Sequence, residues 1–207
     1  MDAARYDRVA IALHWAIGLA LLAQVAFGFA LDTLAPRGTP LRTPVINLHK
    51  STGIVLGVLV LARLAWRLRH APPAWPASLP AWQRTAATLA HRALYACMLV
   101  MPASGYLASN FSKHGVRFFG AAWPPWGPDL PAAYAFLNGV HIVTAWLFAL
   151  LIAGHVIAAL KHAWLDRDGI AARMWPASAT TADEAAHGRD TTGPSAGPAP
   201  AARTAIR

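Results

Sequence analysis

The chain has 207 residues, of which 56% are hydrophobic and only 13% charged, with a formal net charge of +9 at pH 7 and a mean hydropathy of +0.38. A soluble domain of this length carries about twice that share of charged residues, so the composition excludes an ordinary soluble fold. The positive balance is then read as membrane topology and attraction to anionic lipid, with no nucleic-acid partner expected.

The apolar residues fall into four blocks, at roughly 9–31, 45–68, 85–108 and 135–165. Each is long enough to span a bilayer, and the last is long enough to project beyond it. The first begins without a small-residue cleavage site behind it and is expected to be a retained helix rather than a signal peptide. Residues 1–176 then form one all-α membrane domain, a four-transmembrane-helix bundle. Residues 177–207, rich in Ala, Thr, Gly and Pro, are expected to be a disordered cytoplasmic tail.

Charge orients the bundle. Arg5, Arg8, Arg67, Arg69, Arg84, Arg92, Lys161, Arg167 and Arg173 fall on one side, and Arg37, Arg42, Lys50, Lys113 and Arg117 on the other. The positive-inside rule places the first group, and with it both termini, in the cytoplasm. The single cysteine, Cys97, excludes an internal disulfide. No C-x-x-C-H and no cysteine cluster is present, which excludes covalent haem attachment, iron–sulfur clusters and structural zinc.

Nine histidines remain to be sorted. His187 lies in the tail, His70 in a polar connection and His114 in the long connection before the fourth block, where solvated or surface roles suffice. His14, His49, His141 and His155 lie at membrane depth. His141 and His155 are fourteen residues apart, which places them within ~40° of one face and ~21 Å apart along a helix. His14 lies ~9 Å above the inner end of helix one and His49 ~6 Å below the outer end of helix two. Depth therefore pairs His14 with His155 and His49 with His141, each pair drawn from two helices. Imidazoles facing one another at membrane depth are the axial donors that haem iron requires, so two non-covalent b-type haems are expected, stacked across the membrane.

Smaller features keep the same register. Gly28 lies fourteen residues after His14, level with the outer pair; Gly53 lies one turn after His49, where a macrocycle edge needs close approach. Arg63 lies fourteen residues after His49 at the depth of the inner pair, and a lone intramembrane arginine needs an anion such as a haem propionate.

These motifs together resemble the bacterial cytochrome b561 family, which is related to the cytochrome b subunit of nickel–iron hydrogenases. The stretches that carry the likeness are Arg5 through His14-Trp15, Asn47 through His49 to Gly53, Arg63 to Arg67, His91 to Tyr95, Pro102 to Gly105, and His141 and His155 followed by Leu160-Lys161-His162 and Asp166 to Met174. The resemblance implies electron transfer between the quinone pool and a periplasmic donor or acceptor, or superoxide oxidation coupled to ubiquinone reduction. A cytochrome subunit of a larger dehydrogenase or hydrogenase is a further reading. His91, at the inner start of helix three, is expected beside the inner haem or a quinone. His162 and Lys161, two turns after His155, form with His91 the expected quinone site. A metal transporter using its histidines for transition metals is the non-redox alternative.

Overall fold

The computed structural model of the chain describes residues 5–176; the expected tail at 177–207 lies outside them. Residues up to Met174 form one compact unit. Four long helices make it: α1 Arg8–Leu34, α2 Arg42–Arg69, α3 Ala81–Asn110 and α4 Pro131–Leu160. Each contains most of the apolar block that predicts it and runs past at least one of its ends. α1 packs on α2, α3 packs extensively on α4, and α2 with α3 joins the two pairs.

Alternate connections gather at opposite ends. The chain start, the α2–α3 connection and the segment after α4 share one end, called here the termini end; the other two connections share the hairpin end.

α1, α2 and the stretch from Pro131 to Asp166 are long and apolar enough to cross a membrane. α3 is 30 residues long but is not among them, because Gln83, Arg84, Thr85, Thr88, His91 and Arg92 dilute its first half. Polarity is inverted relative to a soluble protein. Leu150 is 71% exposed and Val58 61%, while Ser51, Ser104, Ser109 and Asn110 are buried. An apolar exterior around a partly polar interior is what a bilayer solvates.

The purely α-helical expectation is corrected at the hairpin end. Val116–Phe118 (β1) and Ala121–Trp123 (β2) pair antiparallel, with Phe118 opposite Ala121. The two turn residues, Phe119 and Gly120, have φ of +45° and +96°, the positive values that a tight two-residue hairpin needs. The hairpin is seated on α2. The Ser51 hydroxyl donates to the Arg117 carbonyl (3.1 Å) and accepts from the Phe119 N–H (2.9 Å), the Asn47 side chain accepts from the Arg117 N–H (3.1 Å), and Lys50 donates to the Gly115 carbonyl (2.9 Å).

A second correction concerns the end of helix four. The regular helix stops at Leu160 and continues as a π-helical turn, Lys161–Asp166. Arg167 then turns the chain away with φ of +49°. The termini end is laced together by buried Arg173, which donates to the carbonyls of Pro73 (2.7 Å) and Ala74 (3.0 Å). Tyr6 donates its N–H to the Arg173 carbonyl (3.2 Å), and the Trp15 indole donates to that of Met174 (2.7 Å).

Candidate functional site

The four membrane-depth histidines meet in the pairs that depth predicts. At the hairpin end the rings of His49 on α2 and His141 on α4 have centroids 6.3 Å apart; at the termini end His14 on α1 and His155 on α4 stand 6.2 Å apart. Two rings bound to opposite faces of one metal have nearly that spacing: metal–nitrogen bonds of ~2.0 Å plus ~1.1 Å from each nitrogen to its ring centre give ~6.2 Å. The residues present therefore fit the group that the sequence predicts.

Glycines back both hairpin-end rings. A Cβ at Gly28 of α1 would lie 3.1 Å from Cε1 of His49, and one at Gly105 of α3 would lie 3.0 Å from Nδ1 of His141. Gly28 thus lets the His49 ring approach α1 closely. Gly53 likewise faces the Gln24 amide, 3.3 Å from its own Cβ position. Behind the rings, Nδ1–H of His141 donates to the Met101 carbonyl at 2.8 Å, and Nδ1 of His49 lies 3.2 Å from the Gln24 amide.

Between these rings and the hairpin lies a cavity of about 1120 Å³, lined by Gly28, His49, Gly53, Gly57, Gly105 and His141 among others. It exceeds the ~300–1,000 Å³ of ordinary ligand pockets. Val60 and Phe148 line its deep part and are almost fully buried. Phe148 stands seven residues from each α4 histidine, so its ring packs the level between the two pairs. At the hairpin end Arg37, Arg42, Lys50, Lys113, His114 and Arg117 line the cavity. Three of these cations are already engaged: Arg37 pairs with Asp32 (3.8 Å), Arg42 holds Asp32 (2.6 Å) and the Ala35 carbonyl (3.0 Å) at the C-terminus of α1, and Lys50 holds the hairpin.

The termini-end pair has a third histidine. His91 of α3 stands 5.5 Å from His155, centroid to centroid. Arg63 lies in this layer as its register predicts, with Nη2 3.1 Å from Nδ1 of His14 and Nε donating to the Tyr95 hydroxyl at 3.2 Å.

Residues 5–177 match the sequence profile of the prokaryotic cytochrome b561 family. The chain belongs to that family. It is 32% identical over 174 residues to cytochrome b561 homolog 2 of Escherichia coli (strain K12), covering 82% of this chain and 90% of the relative. It is 30% identical over 172 residues to cytochrome b561 homolog 1 of the same organism, covering 83% and 97%. A probable superoxide oxidase, CybB of Yersinia pestis, is 27% identical over 181 residues, covering 83% and 96%. Membrane electron transport and binding of b-type haem follow from membership of the cytochrome b561 family.

Other residues of this cytochrome sit where sequence reasoning had not looked. Gln24, Thr52, Tyr95 and the Met101 carbonyl all stand behind the histidines or Arg63. Gln24 had a signal, as a lone amide inside an otherwise apolar run four residues before Gly28; a backbone carbonyl has none. The predicted quinone residues Lys161 and His162 lie in the π-helical turn. Lys161 pairs with Asp166, and Nδ1 of His162 lies 2.6 Å from Asp168 and 3.3 Å from Asp166.

Proposed function

We propose that this chain carries electrons across a bacterial inner membrane using two b-type haems, one between His49 and His141 and one between His14 and His155. The observation that carries this reading is the pair of ring separations, 6.3 and 6.2 Å, in two layers of one bundle. Haem, when bound, supplies the one-electron redox chemistry, and the protein supplies binding, orientation and electrostatics. Met101 holds the His141 ring with its Nε2 lone pair free for a metal. Arg63 only donates, so a His14 ring that keeps its proton on Nδ1 sends the guanidinium to another acceptor, for which a haem propionate is suited. Gly28, Gly53 and Gly105 let the helices and rings approach closely, and His91 borders the termini-end pair.

All four helices cross the membrane in this reading, α3 by virtue of its packing on α4 and α2. Both termini face the cytoplasm, following the nine-to-five excess of Lys and Arg tallied above. Quinone meets the termini end near His91, Lys161 and His162, and a periplasmic donor or acceptor meets the hairpin end.

The cations around the cavity favour a second reading, superoxide oxidation. Two superoxide anions each give up one electron and leave as dioxygen; one ubiquinone takes both electrons with two protons and leaves as ubiquinol. Arg37, Lys113 and Arg117 would draw the anion in by electrostatic steering. Service as the cytochrome subunit of a larger dehydrogenase would use the same ligand pairs.

The deciding experiment is a dithionite-reduced minus oxidised spectrum of the purified protein, with haem quantified as the pyridine haemochrome. Two b haems per chain are expected. His49→Ala and His141→Ala should each remove one haem, and His14→Ala and His155→Ala the other. Unchanged haem content in all four variants overturns the reading.

A further inference from the structure

An imidazole that gives its Nε2 lone pair to iron keeps its proton on Nδ1, which then needs an acceptor. At His141 the acceptor is built in, since the Met101 carbonyl 2.8 Å away can do nothing else. At His49 the group behind Nδ1 is the amide of Gln24, 3.2 Å away, and an amide offers a donor and an acceptor on one planar group. Gln24 is the buried polar side chain of α1. Its Nε2 also donates to the His49 carbonyl (2.8 Å), and its Oε1 accepts from the Thr52 hydroxyl (2.8 Å). In that setting the amide donates to Nδ1. The neutral ring then carries its proton on Nε2, the nitrogen that has to meet iron.

We propose that Gln24 is a positioning residue that sets the tautomer and basicity of His49, its amide turning over when His49 takes iron. This rests on the ligand pairing proposed above. After the turn Oε1 accepts the Nδ1 proton, and Nε2 donates to the Thr52 hydroxyl. Thr52 can change from donor to acceptor there because its own hydrogen has the Leu48 carbonyl 2.9 Å away and the His49 carbonyl 3.2 Å away. Gly53 supplies the space, since any side chain there would begin 3.3 Å from Nε2 of Gln24. The turn also brings Oε1 towards the His49 carbonyl and replaces a hydrogen bond with two facing oxygens. The acceptor setting is therefore the weaker of the two for the amide, and iron binding is what offsets it. His141 has a permanent acceptor, so His49 is the adjustable half of its pair.

The test is redox potentiometry of the purified, haem-loaded full chain, comparing wild type with Gln24→Glu and Gln24→Met. The haem followed is the one lost in His141→Ala. A carboxylate only accepts, so Gln24→Glu should make His49 more electron-donating, favour ferric iron and shift that haem's potential down. Methionine fills the space without accepting, so Gln24→Met should shift it up. The other haem should not move in either variant. A packing role alone would change stability or haem content while leaving the potentials where they were. Equal potentials in all three proteins, each with two haems bound, overturn the proposal. If Gln24→Met does not hold two haems, the isosteric Gln24→Glu decides alone, and an unshifted potential there overturns the proposal. Fewer than two haems in wild type, or two retained in His49→Ala, overturns the ligand pairing instead.

Discussion

Asp7 shows how a single side chain places α1. Its carboxylate accepts from the Ala10 N–H at 2.8 Å, capping the helix, and from the Trp66 indole of α2 at 3.2 Å. The Ala10 hydrogen bond holds its pKa below the ordinary value of 3.8, against a smaller opposing effect of desolvation. A carboxyl depressed in the folded state stabilises above its unfolded pKa and loses that contribution as pH falls through the folded value. Asp7→Asn keeps an accepting oxygen but no charge, so its thermal stability should depend less on pH between about 3 and 5 than that of wild type. Unfolding in detergent across that range checks this. Gly105 makes the opposite demand, for absence of a side chain. A Cβ there meets the His141 ring at 3.0 Å, and overpacking of this kind costs ~1–3 kcal/mol. Gly105→Val should therefore lower stability by about that amount and, on the ligand pairing proposed above, remove the haem assigned to His49 and His141. Unchanged haem content with unchanged melting would show that α3 and α4 separate without penalty.

At the scale of elements, the β1–β2 hairpin is the part of the fold with the weakest sequence signal. Two strands of three residues each carry no periodicity, and Phe119-Gly120 is not one of the usual turn pairs. Tertiary seating on Ser51, Asn47 and Lys50 overrides that. The turn still depends on Gly120, whose φ of +96° costs an L-residue ~1–2 kcal/mol. Gly120→Val should loosen the hairpin by about that much and speed proteolysis there, with helix content by circular dichroism unchanged. The π-helical turn was equally invisible. Apolar residues continue through Trp164 and Leu165, so the pattern reads on as α-helix. The widening instead accompanies the pairing of Lys161 and His162 with Asp166 and Asp168, contacts between residues whose geometry a hydropathy pattern does not record.

At the scale of the whole molecule, charge and cavity act together. The hairpin-end cavity is lined by Arg37, Lys113 and Arg117, with Asp32 and Asp129 as acidic neighbours and Asp32 paired with Arg37 and Arg42. If superoxide is the donor, its second-order rate should fall as ionic strength rises, because salt shortens the ~8–10 Å reach of such a field. Lys113→Glu combined with Arg117→Glu should flatten that dependence and slow the reaction about tenfold or more at low salt. A rate indifferent to both salt and charge reversal would leave electron transfer to a docked partner as the better account.

The sequence by itself determined what covalent spacing and hydropathy encode: four long helices, a membrane-solvated exterior, and histidines whose positions along their helices pair two by two. Arg63 beside His14 was legible for the same reason, because helical rise converts residue number directly into depth. Only the tertiary structure decided which groups stand behind those histidines. Gln24 reaches His49 from another helix, and Met101 serves His141 through its backbone. It also set Gly28 against the His49 ring and Gly53 against the Gln24 amide. Spacing along one helix gives depth and face, but the rotation and separation of neighbouring helices are set by the side chains packed between them.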